Sequence, residues 1–492
     1  MGSIRFGLAQ YVGSEEAFRK AIVLFEELAA EFPDDVTYRE SLAESNSRLQ
    51  TLLVDHLGRA KEAEKPCRRA LELYQRLDDE MPGQYRHRLA SGHEDLGRVL
   101  SRTGRYVEAK QTLRQAIPIR QKLVDESPTI ESRQALAVAY CGLAEPLRGM
   151  GQLREAVEAY HDAIQVMEKL LQDFPGGHRI LLAIFYKELG NTLMAIGNSS
   201  DAEKAYLQAI TVSEQLNREH PYDAYYRFQL ASSYLGLAAA KTGRLHEAEE
   251  ACRKAVELYD KLVAEYPTAP EYREWSARGY LELVSLLSNT GRRSEAEVAC
   301  RKALDLNEKL AVDFPAFHPN RSALGKTLYW LFLLLTAKER TEEADAVYRR
   351  LAEFSPSDGS LDNNLAWFLA TCPDPKLRNA AKAVELSKKA VDLMPHDGNK
   401  WNTLGAAHYR TGDWKAAVTA LEKSRELRKG GDSFDWFLLA MAHWQLGDKE
   451  QARKWYDQAL EWMEKNKPQD EELKRFRAEA AELLGLKEQE NE

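Results

Sequence analysis

The sequence repeats itself with a period of roughly 46 to 48 residues, and this period constrains the fold more than any other feature. The copies are clearest at GRAKEAEKPCRRALELYQRL, which begins at Gly58, and at GRLHEAEEACRKAVELYDKL, which begins at Gly243. The glycines that open the copies are Gly58, Gly104, Gly151, Gly197, Gly243 and Gly291. A single globular core does not produce such a period, whereas units that stack on their neighbours do. The chain is therefore expected to form a repeat array.

Each copy predicts two helices separated by a turn. Two alanines and a proline follow the opening glycine at fixed positions, as Ala63, Ala70 and Pro82 follow Gly58. Small residues at helical spacing let two helices approach closely, and proline ends a helix. Before each glycine runs another amphipathic stretch, whose apolar residues recur every three or four positions. We expect an all-α fold in which each repeat is helix A, a glycine turn, helix B and a proline turn.

The last third of the chain shows a recognisable motif. Trp367, Trp401 and Trp436 recur at a spacing of roughly 34 to 35 residues, and Trp401 is followed by Leu404 and Gly405 in the pattern W-x2-L-G. These residues, together with the later alanines, resemble the tetratricopeptide repeat. The resemblance implies a right-handed α-solenoid of about ten antiparallel helix pairs, or about 22 helices, that binds proteins and is not an enzyme.

The spacing within the repeats suggests three regions. The stretch from the first alanine to the proline is longer in the early copies, such as Ala63 to Pro82, than it is from Ala344 to Pro356. Helix B is therefore expected to be about two turns longer in the early copies. We assign residues 1–357 to long-period repeats that open on half a repeat, 358–466 to three repeats of standard period, and 467–492 to a capping helix and an acidic tail.

Composition excludes several classes of protein. The net charge of -9 argues against a chain that neutralises phosphates, so no nucleic acid is expected as a partner. The five cysteines form no C-x-x-C motif, which favours a reducing cytoplasm over a disulfide framework or a zinc site. The longest apolar run, Tyr329 to Leu335, is far shorter than the roughly 20 residues that cross a bilayer. We expect a cytoplasmic protein that has no contact with membranes.

Motifs for catalysis are missing or incomplete. No protein-kinase motif is present, and NRSALGKT at Asn320 to Thr327 has asparagine where a phosphate-binding loop begins with glycine. His408 and His443 occupy matching positions of two repeats, where a packed histidine is expected more than a metal ligand. We therefore predict no catalytic residue, no cofactor and no metal.

The resemblance also implies where a partner would bind. In this family helix A lines the concave side, so ligands contact the helix A residues that packing leaves free. Such positions include aromatic and polar side chains suited to an extended or helical peptide. The predicted groove residues are Asn399, Asn402, Tyr409, Arg410, Phe434, Phe437, Met441 and Trp444. The alternative is that some of the aromatic side chains pack against the next helix.

A second candidate site lies earlier in the chain. One subgroup of the family clamps a peptide carboxylate with lysine and asparagine four residues apart on a first helix A, and Lys187 and Asn191 match this spacing. The next helix A has Tyr234 where the clamp needs asparagine, so the set is incomplete.

Two functions remain open at this point. Segments such as NNLAWFLATCPDP resemble the repeat tails that follow serine/threonine kinase domains in certain bacteria. That resemblance implies an adaptor, most simply a monomer, that forms the recruiting arm of a kinase-linked signalling protein. Its partner would be a protein or peptide, with a kinase domain in the same polypeptide or in an associated one. The alternative is a self-assembly module that stacks through exposed ends.

Overall fold

The computed structural model describes residues 4–176, 178–241, 243–314, 320–336, 340–353, 359–372, 375 and 378–486. These residues form 22 α-helices and one short π-helical segment, and they contain no β-strand. The chain divides into two compact units, Met1–Arg292 (unit 1) and Arg293–Glu492 (unit 2). The all-α prediction is confirmed within the described residues.

Unit 1 contains twelve of these helices, with the π-helical segment Leu52–His56 between the second and the third. They are α1 (Ile4–Glu31), α2 (Val36–Thr51), α3 (Ala60–Glu80), α4 (Arg86–Arg102), α5 (Tyr106–Glu126), α6 (Ile130–Gly149), α7 (Leu153–Asp173), α8 (Arg179–Ile196), α9 (Ser199–Glu219), α10 (Ala224–Ala240), α11 (Leu245–Glu265) and α12 (Pro270–Asn289). Unit 2 contains α13 (Arg293–Asp313), α14 (Asn320–Thr336), α15 (Thr341–Glu353), α16 (Gly359–Thr371), α17 (Ala380–Leu393), α18 (Gly398–Thr411), α19 (Trp414–Leu427), α20 (Ser433–Gln445), α21 (Lys449–Asn466) and α22 (Glu471–Leu484).

Each unit is a stack of helix pairs. From α2 to α12 in unit 1 and from α16 to α22 in unit 2, each helix packs against the next one along the chain. Even-numbered helices also contact each other, as α4 contacts α6 and α16 contacts α18. The even-numbered helices are therefore the helix A series and the odd-numbered helices the helix B series.

The repeat positions explain this packing. The six opening glycines have φ between 66° and 85°, a left-handed conformation that favours glycine because it lacks a Cβ. The alanine five residues later is at most 1% exposed in each of the six copies, so the helices of a pair meet at that point. Helix B has 21 residues in α3 to α13 and 13 or 14 residues in α15, α17 and α19, a difference of about two helical turns.

Ion pairs join the two helices of each repeat in unit 1. An arginine among the first four residues of helix A binds the acid that ends helix B, and we call these five pairs the end-pair ladder. The pairs are Arg39–Glu80, Arg86–Glu126, Arg133–Asp173, Arg179–Glu219 and Arg227–Glu265. A cation at a helix N-terminus and an anion at a C-terminus each oppose the helix dipole. Because the two helices run antiparallel, the two charges meet and offset that penalty.

A second set of ion pairs joins neighbouring repeats. Where an arginine follows an opening glycine, it reaches a glutamate on the preceding helix B, and we call these pairs the hinge ladder. Its members in unit 1 are Arg59–Glu15, Arg105–Glu64, Arg244–Glu203 and Arg292–Glu249. In unit 2, Arg340 makes the equivalent contact with Glu297 at 2.7 Å.

Close approach of the helices depends on glycine at particular positions. The ring of Tyr206 on α9 lies between Gly190 on α8 and Gly236 on α10, and a Cβ added to either glycine would overlap that ring. The Tyr206 hydroxyl donates to Asn191 Oδ1 at 2.7 Å. This buried tyrosine therefore fixes the spacing of three consecutive helices.

The first helix, α1, has 28 residues and belongs to the helix B series. Within α1, Phe18, Ile22 and Phe25 are half-buried and pack against the core formed with α2 to α4. Among the described side chains of α1, the large apolar ones that are exposed are Val23, at 54%, and Leu24, at 58%.

Candidate functional site

The helix A surface of unit 2 holds a helix of the same chain. A capping helix that only continued the stack would contact α20 and α21, but α22 also reaches α16 and α18. We call the surface that holds it the helix-A groove and define it by Trp367 and Thr371 on α16, Arg410 on α18 and Phe434 on α20. The groove thus lies where three helix A elements of unit 2 face α22.

Aromatic side chains form the apolar part of this contact. Phe476 on α22 has its ring centroid 5.9 Å from that of Trp367 and 6.2 Å from that of Phe434. Trp367 and Phe434 also meet edge-to-face at 5.9 Å, although two repeats separate them. Phe476 is only 3% exposed, and Leu473, one turn earlier, is fully buried. The groove therefore buries one apolar stripe of an amphipathic helix.

Polar groups of the groove bind two glutamates of α22. Trp367 Nε1 donates to Glu472 Oε1 at 3.1 Å, and Thr371 Oγ1 donates to the same oxygen at 3.3 Å. Arg410 binds Glu479 with both terminal nitrogens, and Nη2 donates to Oε2 at 2.8 Å. Arg410 Nε also donates to the carbonyl oxygen of Ala370 at 2.9 Å, which fixes the guanidinium plane.

A positively charged cavity of about 250 Å³ adjoins these contacts. Among its lining residues, Arg378, Arg410 and Arg475 are basic and Glu479 is acidic. Burial lowers the pKa of Arg378, and the neighbouring guanidinium groups of Arg410 and Arg475 lower it further. The cavity therefore carries more positive than negative charge and suits an anionic group.

The structure corrects the sequence-based groove at three residues, Phe437, Met441 and Asn402. Phe437 and Met441 have no exposed surface, so they belong to the core between helices and not to a groove. Both lie on α20, where the side facing α21 is also apolar, and helical spacing alone did not distinguish the two faces. Phe437 packs edge-to-face on Tyr456 of α21 at 5.8 Å.

Asn402 is also buried, at 6% exposure, and its amide donates to Asp435 Oδ1 at 2.7 Å. Asp435 accepts further hydrogen bonds from Ser424 and Arg428, both at the end of the preceding helix B. Burial raises the pKa of Asp435, whereas the Arg428 charge and the hydrogen bonds oppose that shift. Asn402 therefore stabilises the contact between α18 and α20.

The remaining predicted groove residues stay candidates. Arg410 and Phe434 contact α22 directly, as described above. Asn399 is exposed, Tyr409 is half-buried, and Trp444 is half-buried with Lys449 Nζ 5.0 Å from its ring centroid. That these three side chains contact a ligand stays a prediction.

Family comparison agrees with the repeat pattern. Models described as tetratricopeptide repeat match residues 94–128, 187–270, 277–320 and 396–465. The chain is a tetratricopeptide repeat protein. Repeats of this kind generally serve as protein-interaction scaffolds and bind protein or peptide partners. Among curated proteins, none matches the sequence.

Several solved structures resemble this tetratricopeptide repeat protein. BtubC (BKLC) from P. vanneervenii is 20% identical and has a TM-score of 0.41, covering 51% of this chain and 92% of its own. The apo form of RapI is 14% identical and has a TM-score of 0.48. The match covers 80% of this chain and 97% of the RapI chain. A chain of the APC/C hetero-tetramer Cut9-Hcn1 is 15% identical and has a TM-score of 0.36. The match covers 97% of this chain and 95% of that one.

The clamp-like pair of this repeat protein is engaged internally. Lys187 Nζ donates to Gln229 Oε1 at 2.9 Å, and the lysine side chain is 12% exposed. Asn191 donates to Glu188 at 3.2 Å and accepts from Tyr206. A peptide carboxylate would have to replace these partners, so the clamp stays a prediction and is not part of the proposed site.

Three cysteines and the two histidines at matching repeat positions lie at buried or half-buried sites of the repeat protein. Cys67, Cys252 and Cys300 are buried, and burial raises the pKa of Cys252 and Cys300 to about 12. His408 and His443 are half-buried, and burial lowers the pKa of His408. Within the described part of the chain, no cluster of three potential metal ligands occurs. No helix there is both long and apolar enough to cross a bilayer.

Proposed function

We propose that this tetratricopeptide repeat protein is an adaptor that holds a helical segment of a partner protein in the helix-A groove of unit 2. The observation that carries the proposal is the seating of α22, whose Phe476 fills the aromatic pocket between Trp367 and Phe434. A surface that binds one amphipathic helix through aromatic rings, an arginine and an indole N–H has the chemistry to bind another. The proposed role is recruitment, without a catalytic step.

The proposed partner is a kinase-linked signalling protein, in the same polypeptide or in an associated one. The resemblance of the segment NNLAWFLATCPDP, at residues 363–375, to the repeat tails of bacterial kinases supports this part of the proposal. The protein would act as a monomer in the cytoplasm, where its five cysteines would stay reduced.

Site-specific photo-crosslinking in the native host tests the groove assignment. A benzophenone side chain at Asn399, which is exposed on α18, should form an adduct with the partner. The same group at Lys454, which is exposed on α21, is the matched control and should form none. Adducts from Lys454 alone would place binding on helix B and contradict the proposal. Sequencing the adduct then shows whether the partner contains or accompanies a kinase domain.

Self-assembly is a second candidate function, and one observation favours it. Val23 and Leu24 lie side by side on α1 and are more than half exposed, which suits an apolar contact between two copies. Light scattering across a hundredfold concentration range separates the two functions. An adaptor keeps the mass of one chain, whereas a self-assembling module gains mass that Val23→Asp removes.

A further inference from the structure

We propose that α22 is the protein's own occupant of the helix-A groove, and that a partner displaces it with an acidic amphipathic helix of the same pattern. This inference rests on the function proposed above and adds to it the chemistry of the partner and a means of regulation. In this arrangement the groove is closed by the chain itself until a competing helix arrives.

The contacts of α22 follow the pattern of a bound ligand. Glu472, Phe476 and Glu479 are spaced by four and three residues, so they share one face of the helix. Each of the three contacts a different part of the groove: the indole N–H, the aromatic pocket and the Arg410 guanidinium. A competing helix is therefore expected to carry an aromatic residue with an acid four residues before it and another three residues after it.

The polar contacts of α22 are weak enough to exchange. The side chains of Glu472 and Glu479 are 32% and 35% exposed, so water reaches both carboxylates. Ion pairs with that exposure contribute modestly to stability, because solvent screens them and hydrates the separated groups. The apolar contact centres on Phe476, which a partner aromatic side chain can replace.

Charge around the groove favours an acidic competitor. Of the three arginines that line the cavity beside Glu479, Arg475 belongs to α22 itself, so the guanidinium groups that stay in the groove when α22 leaves are those of Arg378 and Arg410. Arg378 donates from Nε to the carbonyl oxygen of Cys372 at 2.6 Å, which leaves its terminal nitrogens directed to no carboxylate among the described residues. A partner helix with one more acid than α22 could use this group, and it would bind more tightly than the α22 sequence itself.

Peptide binding to the full-length chain tests the inference. The probe is a fluorescein-labelled peptide that covers residues 470–486, and its binding is followed by fluorescence anisotropy. The receptors are the wild-type chain, a released variant with Phe476→Ala and Glu479→Ala, and the released variant that also carries Arg410→Ala. Glu482→Ala is the matched control, since Glu482 lies on the exposed face of α22. Hydrogen exchange of α16 to α21 reports whether the repeats stay folded.

We expect the released variant to bind the peptide at least about tenfold more tightly than the wild type, because its groove is no longer occupied by α22. Adding Arg410→Ala should abolish this gain, and the Glu482→Ala chain should behave as the wild type. A peptide with glutamine in place of Glu472 and Glu479 should bind more weakly than the original peptide. Salt should weaken binding of the original peptide more than binding of the glutamine peptide.

The other outcomes have distinct meanings. Equal binding to the wild type and the released variant would overturn the displacement model while leaving the groove as a helix-binding site. Binding to neither, with the repeats protected from exchange, would overturn the proposed function as well. Loss of protection throughout α16 to α21 in the released variant would show that α22 is a structural cap, and the inference would be wrong.

Discussion

Arg410 on α18 binds both carboxylate oxygens of Glu479 on α22, 69 residues further along the chain. The Arg410 side chain is 13% exposed, and its Nε is held by the carbonyl oxygen of Ala370. The arginine is therefore fixed in position before α22 docks, so little side-chain entropy is lost when the pair forms.

Arg410→Met should loosen α22 selectively. The change removes the charged hydrogen bonds but keeps an apolar side chain, so we expect the local opening free energy of α22 to fall by about 1 to 2 kcal/mol. Hydrogen exchange resolved by helix measures this. Arg453→Met is the control, since Arg453 forms an exposed pair with Asp457 on α21. Equal acceleration in α16 to α21 would show that Arg410 stabilises the whole unit instead.

Gly236→Ala should destabilise unit 1. The new Cβ would overlap the ring of Tyr206, and overpacking of this kind costs about 1 to 3 kcal/mol even though alanine favours the helix. Gly13→Ala on α1 is the matched control, because its Cβ meets nothing within 4 Å. This change should raise the free energy of unfolding by about 0.5 to 1 kcal/mol. Urea unfolding measures both variants. If the clash is the cause, Tyr206→Leu should cost less in the Gly236→Ala background than in the wild type.

Phe437→Ala and Trp444→Ala should differ in their effect on stability. Phe437 is fully buried, so its loss should cost about 3 to 5 kcal/mol. Trp444 is half-buried and its described ring contact is with Lys449, so its loss should cost about 1 kcal/mol. Thermal and urea unfolding of the two variants check this order. A larger loss at Trp444 than at Phe437 would contradict the burial seen on α20.

The end-pair ladder should make unit 1 sensitive to acid. Hydrogen bonds from Arg39, Arg179 and Arg227 hold the pKa of Glu80, Glu219 and Glu265 below the ordinary value of 4.5. As the pH falls, the unfolded chain takes up these protons before the folded chain does. The stabilisation is therefore present above about pH 4.5 and is lost as the pH falls below it.

Arg227→Met tests this dependence. The difference in unfolding free energy between wild type and variant should be largest near pH 7 and should shrink from about pH 4.5 downwards. Lys61→Met on α3 is the control, since Lys61 is exposed, and its difference should stay small at every pH. A difference for Arg227→Met that is constant between pH 7 and pH 3 would show that Arg227 acts through packing alone.

The sequence predicted those features of the fold that repeat. The opening glycines, the buried alanines and the longer helix B each recur at fixed spacing, and in such a chain spacing translates directly into helix contacts. The end-pair ladder was also readable, because an acid stands two residues before each of the prolines from Pro82 to Pro267. That signal is local to each repeat and was overlooked.

The candidate site was predicted less well, and the reason is physical. Helical periodicity identifies an apolar stripe but not the helix that covers it, so Phe437 and Trp444 could not be separated on α20. The return of α22 to α16 joins Glu472 to Trp367 across 105 residues, and no period encodes such a contact. Arg410 and Phe434 were identified because they lie on helix A, whereas Trp367, Thr371 and Glu479 were missed.

The two ladders make those repeats of unit 1 that carry both of them interchangeable. Such a repeat holds both halves of its end pair. It also carries a hinge arginine that binds the preceding repeat and a glutamate that binds the hinge arginine of the following repeat. In the repeat of α2 and α3, Arg59 binds Glu15 on α1, and Glu64 binds Arg105 of the next repeat. A duplicate of such a repeat would therefore arrive with matching connections on both sides. Gene duplication could lengthen the array there without new compensating substitutions, because the new junction would use the same pair of charges as the old one.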